Sequence, residues 1–131
     1  MIKVKIPIKM PSLNEYIYAC KIQRGYWNLG NQMKHDIQEE LYNYLYKLPK
    51  LQKPIRVHFT WVEKNKRRDL DNISAAGHKF ILDALQMCGR LKNDNLNYIV
   101  GLSDDYIIGN DYAVIMEIEE MKVFDMEEKN E

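Results

Sequence analysis

Two aspartates placed two positions apart are the side chains in this sequence best suited to bind a metal ion. Asp69 and Asp71 belong to the run RRDLDN, which begins at Arg67 and leads into a predicted helix. In an extended chain, residues i and i+2 project to the same side, so both carboxylates can face one point. Proteins usually hold Mg²⁺ with one or two carboxylates together with water and substrate phosphate. The pair therefore predicts a divalent-metal site.

Asp94 is a third candidate ligand, in the loop that follows the predicted helix over 72–88. It joins Asp69 and Asp71 only if the fold brings this loop back to the start of the helix. In that case three carboxylates converge, and Mg²⁺, with Mn²⁺ as a substitute, is the expected counter-charge. Capping is the alternative interpretation, because an Asp-x-Asp before a helix commonly serves as an N-cap or turn.

A basic connection precedes the aspartates and extends the predicted chemistry to a phosphate substrate. Its cationic residues are Lys64, Lys66, Arg67 and Arg68. Such side chains contact DNA backbones, although the same composition is also common in solvated loops. A metal ion beside them could orient a scissile phosphate, generate hydroxide from water and stabilise charge on the phosphoryl oxygens. Asn72 is a candidate to fix a carboxylate or a metal-bound water through its amide.

Charge and composition allow a DNA partner without requiring one. The 131 residues carry 19 basic and 19 acidic side chains, but the segment 117–131 is strongly acidic. Without that segment, 17 basic and 12 acidic residues remain, and the net charge of +5 is compatible with phosphate contacts. Hydrophobic residues make up 46% of the chain, which is enough for one core.

The chain is predicted to form one domain over 1–121, followed by a loosely ordered acidic tail over 122–131. No apolar run reaches the roughly 18 residues required for a membrane span, and the lysine-rich start does not resemble a signal peptide. A cytoplasmic location and no membrane partner are therefore expected. Cys20 and Cys88 are too few for a disulfide framework.

Hydropathy periodicity predicts a small α+β fold. The predicted strands cover 2–8, 55–62, 97–102 and 112–118, and the predicted helices cover 31–48 and 72–88. This order, β-α-β-α-β-β, gives a small mixed sheet with two main helices packed on it. Pro7 indicates a strand end or an edge strand, because proline cannot donate a ladder hydrogen bond. The segment 10–30 is predicted to be a long connection of functional importance.

The sequence resembles the RusA family of Holliday junction endonucleases over roughly residues 2–118. The fairly specific part is the RRDLDN run, followed in the same order by a later aspartate. The matching residues are Pro11, Ser12, Asn14 and Tyr16, then the run from Arg67 to Ile73, then Lys79, Asp83 to Leu85, Gly89, Asn93 and Asp94. The likeness implies a RusA-like endonuclease domain over 1–121.

The resemblance implies a homodimeric, Mg²⁺-dependent endonuclease that nicks four-way junctions in DNA recombination and repair, of a kind often carried by phages and prophages. A two-fold dimer suits a substrate with two opposed strands to cut. Matched residue by residue, the family's acidic cluster falls on Asp69, Asp71 and Asp94, and its functional lysine falls on Lys79. Lys79 lies one helical turn later than in the best-known members, and Asn93 stands where they have a second aspartate.

Two other functions stay open from the sequence. A non-catalytic accessory protein would bind branched DNA without cutting it, and a related metal-dependent nuclease would cut another branched substrate. Within the 10–30 connection, Tyr26 or Trp27 could stack on an exposed base, although packing is the commoner role of such residues.

Overall fold

The computed structural model describes residues 1–121, so the predicted acidic tail over 122–131 lies outside the described residues. The α+β prediction is confirmed, with one four-stranded mixed sheet, one two-stranded sheet and three helices. In chain order the elements are β1 (Ile2–Ile6), α1 (Leu13–Cys20), β2 (Gln23–Arg24), β3 (Trp27–Asn28), α2 (Leu29–Leu45), β4 (Ile55–Glu63), α3 (Leu70–Met87), β5 (Ile99–Ile108) and β6 (Ala113–Glu120). Within residues 1–121, no helix combines the length and apolar character that crossing a membrane requires.

The main sheet has the strand order β1-β6-β4-β5. β4 runs antiparallel to β6 and parallel to β5, while β1 pairs antiparallel with β6 at one edge. Pro7 directly follows β1, as expected for a residue that ends an edge strand. At the opposite edge, β5 is joined to β4 through the helix α3, the usual crossover between neighbouring parallel strands.

The hydrophobic core lies between the helices and one face of the sheet. β4 alternates strictly, so that Ile55, Val57, Phe59 and Trp61 are buried while the residues between them are half-exposed. These side chains pack with the apolar face of α3, including Phe80. The alternating pattern of β4 and the helical pattern of α3 therefore mark two apolar surfaces that pack against each other.

The segment 10–30 is not the long connection predicted from its glycines and polar residues, because it contains α1 and the β2–β3 hairpin. Ser12 begins α1 with a capping box: its Oγ accepts from the Glu15 backbone N–H at 3.1 Å, and Glu15 Oε1 accepts from the Ser12 backbone N–H at 3.4 Å. This Ser-x-x-Glu spacing satisfies helix N–H groups that have no partner within the helix.

β5 continues six residues past the predicted end at 102. It passes through two consecutive aspartates, which are more typical of a turn than of a strand. The carboxylate of Asp104 faces the helices, where its Oδ1 accepts hydrogen bonds from Trp61 Nε1 at 2.8 Å and His78 Nε2 at 2.6 Å. Because these long-range partners satisfy the carboxylate, the strand can pass through Asp104 with this side chain half-buried.

Gly77 of α3 lies against the buried indole of Trp61. A Cβ added at Gly77 would meet two carbons of the Trp61 ring at 2.2 and 2.4 Å. Gly77→Ala is therefore expected to lower the free energy of unfolding by about 1–3 kcal/mol, although alanine has the higher helix propensity. Urea denaturation would measure the change, with Ala75→Gly on the exposed face of α3 reporting the propensity effect alone. An unchanged or raised stability in Gly77→Ala would contradict this packing.

Candidate functional site

The aspartate pair lies where the chain enters α3. Asp69 occupies the N-cap position and Asp71 lies in the first turn, and both are exposed. Asp69 has an extended backbone, with φ −71° and ψ 145°, yet its side chain makes no capping hydrogen bond. The capping interpretation therefore accounts for the position of Asp69 but leaves its carboxylate free to bind something else.

A cleft of about 400 Å³ opens beside Asp69. It forms where two parallel strands finish together, because Glu63 at the end of β4 pairs with Ile108 at the end of β5. The lining residues are Glu63, Asn65, Lys66, Arg68, Asp69, Leu70, Ile73, Tyr106, Ile107 and Ile108. The cleft thus brings together the basic connection, one of the two aspartates and the end of the edge strand.

Arg68 is held inside the fold, although the sequence suggested it as a DNA-binding residue. Its guanidinium donates to both oxygens of Glu63, at 2.8 and 2.7 Å, and to the Met10 carbonyl at 2.7 Å. Only 15% of the Arg68 side chain and 9% of the Glu63 side chain are exposed. Hydrogen bonding to Glu63 raises the pKa of Arg68 above its already high value. Arg68 therefore fixes the basic connection to the sheet.

The other basic residues of the connection are placed differently. Lys64, Lys66 and Arg67 are exposed, and Lys66 borders the cleft. They are thus available to a polyanion beside the aspartates. Asn72, the predicted supporting amide, is half-buried in the first turn of α3, where its backbone N–H donates to the Asp69 carbonyl at 3.1 Å.

Asp94 lies at the far end of α3 from the aspartate pair. Its loop is anchored beside the start of β4, because Leu91 bridges to Leu51 and the Tyr98 carbonyl accepts from the Ile55 backbone N–H at 2.8 Å. Asp69 and Asp71 instead follow the end of β4. The convergence of three aspartates that the sequence allowed therefore does not occur within one chain.

Chain length rules out a return of Asp94 to the pair. α3 has 18 residues, which corresponds to a helix about 27 Å long. Asp94 is three residues from Leu91, so a fully extended loop carries it only about 10 Å from that anchor. Asn93 shapes this loop, since its Oδ1 accepts from the backbone N–H groups of Asp94 at 2.7 Å and Asn95 at 3.2 Å.

Lys79 also points away from the aspartate pair. Its Nζ lies 3.6 Å from Asp83 Oδ2, and the same carboxylate pairs with Lys34 at 3.0 Å. Eight residues of helix separate Lys79 from Asp71, a rise of about 12 Å. A lysine stem that turned toward the pair would have to leave Asp83, and 54% of the Lys79 side chain is exposed, so it has room to turn.

Three residues that sequence reasoning did not select form a polar seam between α3 and β5: His78, Asp104 and Tyr106. Burial raises the pKa of the Tyr106 phenol; a hydrogen bond with Ser74 lowers it, and the charges of Asp104 and Asp71 raise it again. Tyr106 also lines the cleft beside Asp69, so the seam borders the candidate site. No local sequence signal marks the seam, because it depends on the pairing of β5 with β4.

The donor chemistry of the pair suits Mg²⁺. Asp69 and Asp71 offer hard carboxylate oxygens, and both are exposed, so water and a phosphate have room to complete the coordination of an ion. The extended backbone predicted to project both to one side is present only at Asp69, because Asp71 already belongs to α3. Among residues 1–121, the one group of three potential ligands whose atoms lie within 4.8 Å of one another is His35, Asp36 and Glu39, exposed on α2. Those side chains pair with one another along the helix, as such surface residues commonly do.

No protein-family model matches the chain, and no curated protein sequence is detectably similar to it. The likeness to RusA nucleases therefore rests on single residues and short runs such as RRDLDN.

Proposed function

We propose that this protein is a Mg²⁺-dependent, structure-selective endonuclease that nicks four-way DNA junctions in recombination and repair. One observation carries the proposal: the carboxylate of Asp69, which makes no capping hydrogen bond, lines a cleft beside a basic connection, and Asp71 follows two residues later in the first turn of α3. Carboxylates that could bind a metal ion, beside exposed cations, suit metal-assisted hydrolysis of a phosphodiester.

The charged residues in and beside the cleft have distinct roles in this proposal. Asp69 and Asp71 would hold Mg²⁺, which when bound supplies a nucleophile from water and stabilises charge on the phosphate. Lys64, Lys66 and Arg67 contact backbone phosphates and set the strand in the cleft. Arg68 keeps that connection in place through Glu63.

A second copy of the chain would supply Asp94. β5 is an edge strand of the main sheet, and its side chains Leu102, Ile107 and Ile108 are exposed. If two copies pair antiparallel along this edge, the start of one β5 lies beside the end of the other. The partner subunit's Asp94 is then carried toward Asp69 and Asp71. A two-fold dimer of this kind has two equivalent sites, as two opposed strands of a junction require.

A nicking assay tests the activity directly. The full chain is incubated with a synthetic four-way junction or with linear duplex of the same sequence, in Mg²⁺, Mn²⁺ or EDTA. We expect junction nicking in either metal, at least tenfold slower cutting of duplex, and no cleavage in EDTA because the carboxylates alone cannot generate the nucleophile. Cleavage that persists in EDTA, or that is equal on both substrates, would contradict the proposal.

A non-catalytic accessory role is the second candidate, and the position of Lys79 favours it. Lys79 is paired with Asp83, and Asn93 gives the Asp94 loop an amide where the family has a carboxylate. This candidate predicts tight junction binding without cleavage in any divalent metal. A third candidate, a nuclease for another branched DNA, predicts that flaps or three-way junctions are cut faster than four-way junctions in the same assay.

A further inference from the structure

The β2–β3 hairpin ends in an exposed aromatic pair. Tyr26 at its tip is 108% exposed, more than in an extended chain, and the adjacent Trp27 is 43% exposed. Tyrosine and tryptophan normally bury a large area and dominate the energetics of interfaces when they do not lie in a core. An ordered hairpin that holds such side chains away from its own core therefore indicates a contact surface.

The tip is held in one shape by local hydrogen bonds. Gly25 supplies the positive φ of +59° that a two-residue turn of the II′ type requires at its first position. Gln23 Nε2 donates to the Gly25 carbonyl at 2.7 Å, and Asn28 Nδ2 donates to Gln23 Oε1 at 2.9 Å and to the Cys20 carbonyl at 3.0 Å. Tyr26 is thus presented before any partner binds, which reduces the entropy lost on binding.

Charge around the hairpin identifies the kind of partner. The sequence from Tyr16 to His35 contains no aspartate or glutamate, whereas Lys21, two residues before β2, and Arg24, the last residue of β2, are both exposed. An aromatic ring flanked by cations complements a molecule that combines flat rings with negative charge. Single-stranded nucleic acid has this combination, because bases stack on aromatic side chains while the backbone contacts Lys and Arg.

We propose that the Tyr26 ring stacks on a base unstacked at the branch point of junction DNA, with Lys21 and Arg24 on the flanking phosphates. The inference rests on the proposed function for its DNA partner. Opening a base costs least where it is already poorly paired or stacked. A branch point interrupts the base stack, so a rigid aromatic tip favours it over continuous duplex.

The test compares binding to a four-way junction and to duplex of the same sequence, in EDTA so that nothing is cut. Tyr26→Ala is expected to weaken junction binding roughly 5- to 100-fold, the range for losing one base–aromatic stack. Duplex binding should change less than about twofold, because phosphate contacts dominate it. Tyr26→Phe should bind as wild type, since the ring and not the hydroxyl stacks. Tyr42→Ala, which removes an exposed tyrosine on α2, is the matched control.

Three outcomes would overturn the inference. If Tyr26→Ala weakened binding to junction and duplex equally, Tyr26 would contribute to DNA affinity without selecting the junction. If it weakened binding to neither, Tyr26 would not contact DNA. Dissociation of a dimer in Tyr26→Ala, measured by light scattering without DNA, would make a second copy the partner. If wild type binds neither substrate, the proposed function fails as well, which distinguishes that result from a failure of the Tyr26 contact alone.

Discussion

Asp71→Asn and Asp94→Asn are each expected to reduce junction nicking on the order of 10³-fold, and to restore activity when combined in one dimer. The size of the loss follows from the several kcal/mol of transition-state stabilisation that a bound metal supplies. Activity would be restored because Asp71 and Asp94 lie at opposite ends of α3, so each site would take Asp71 from one chain and Asp94 from the other.

In a mixed dimer of these two variants, one site carries both substitutions and the other carries neither. Random pairing makes half of the dimers mixed, so an equal mixture should recover about one quarter of the wild-type sites. The variants would be refolded together and assayed for single nicks on a four-way junction with Mg²⁺. If Asp94 acted within its own chain, no site in the mixture would be intact and no activity would return. If Asp94→Asn alone kept full activity, Asp94 would not be part of the site.

The sequence predicted candidate residues for the site but not the distances between them. Two parallel strands joined by one helix must start at the same edge of the sheet. A residue before the second strand, such as Asp94, therefore lies opposite one that follows the first strand, such as Asp71. The predicted order of elements was compatible with this separation. The separation follows only once β4 and β5 are known to be parallel neighbours.

Local sequence patterns predicted the elements whose burial is periodic, but not the contacts between residues far apart in the sequence. The alternation over 55–62 and the helical spacing over 72–88 predicted β4 and α3 to within two residues at each end. α1 was missed because eight residues give little periodicity, although the Ser12 and Glu15 capping box marks its start. The inward carboxylate of Asp104 could not be predicted, because its partners are 26 and 43 residues away.

Arg68→Ala is expected to destabilise the protein by about 3–5 kcal/mol, because it leaves the buried carboxylate of Glu63 without a counter-charge. A domain of this size has roughly 5–15 kcal/mol of stability in total, so the variant would lie close to unfolding. Urea denaturation at neutral pH would measure the loss. The exposed Arg67 provides the control, since Arg67→Ala should change stability by no more than about 0.5 kcal/mol.

A double variant separates charge from packing at this pair. Adding Glu63→Gln to Arg68→Ala removes the unpaired charge, so part of the lost stability should return. If Arg68→Ala and Arg67→Ala were equally stable, the ion pair would contribute nothing and Arg68 would again be a candidate for DNA contact.

If the protein nicks junctions as proposed, the length of α3 has a consequence for how the nicking rate depends on protein concentration. A site whose acidic groups belong to two chains exists only in the dimer. Below the dissociation constant of that dimer, its concentration falls with the square of the concentration of free chains. In the proposed dimer, a helix that separates Asp71 from Asp94 would thereby make the rate second order in protein at low abundance, and a single newly made chain would be inert toward any junction it meets.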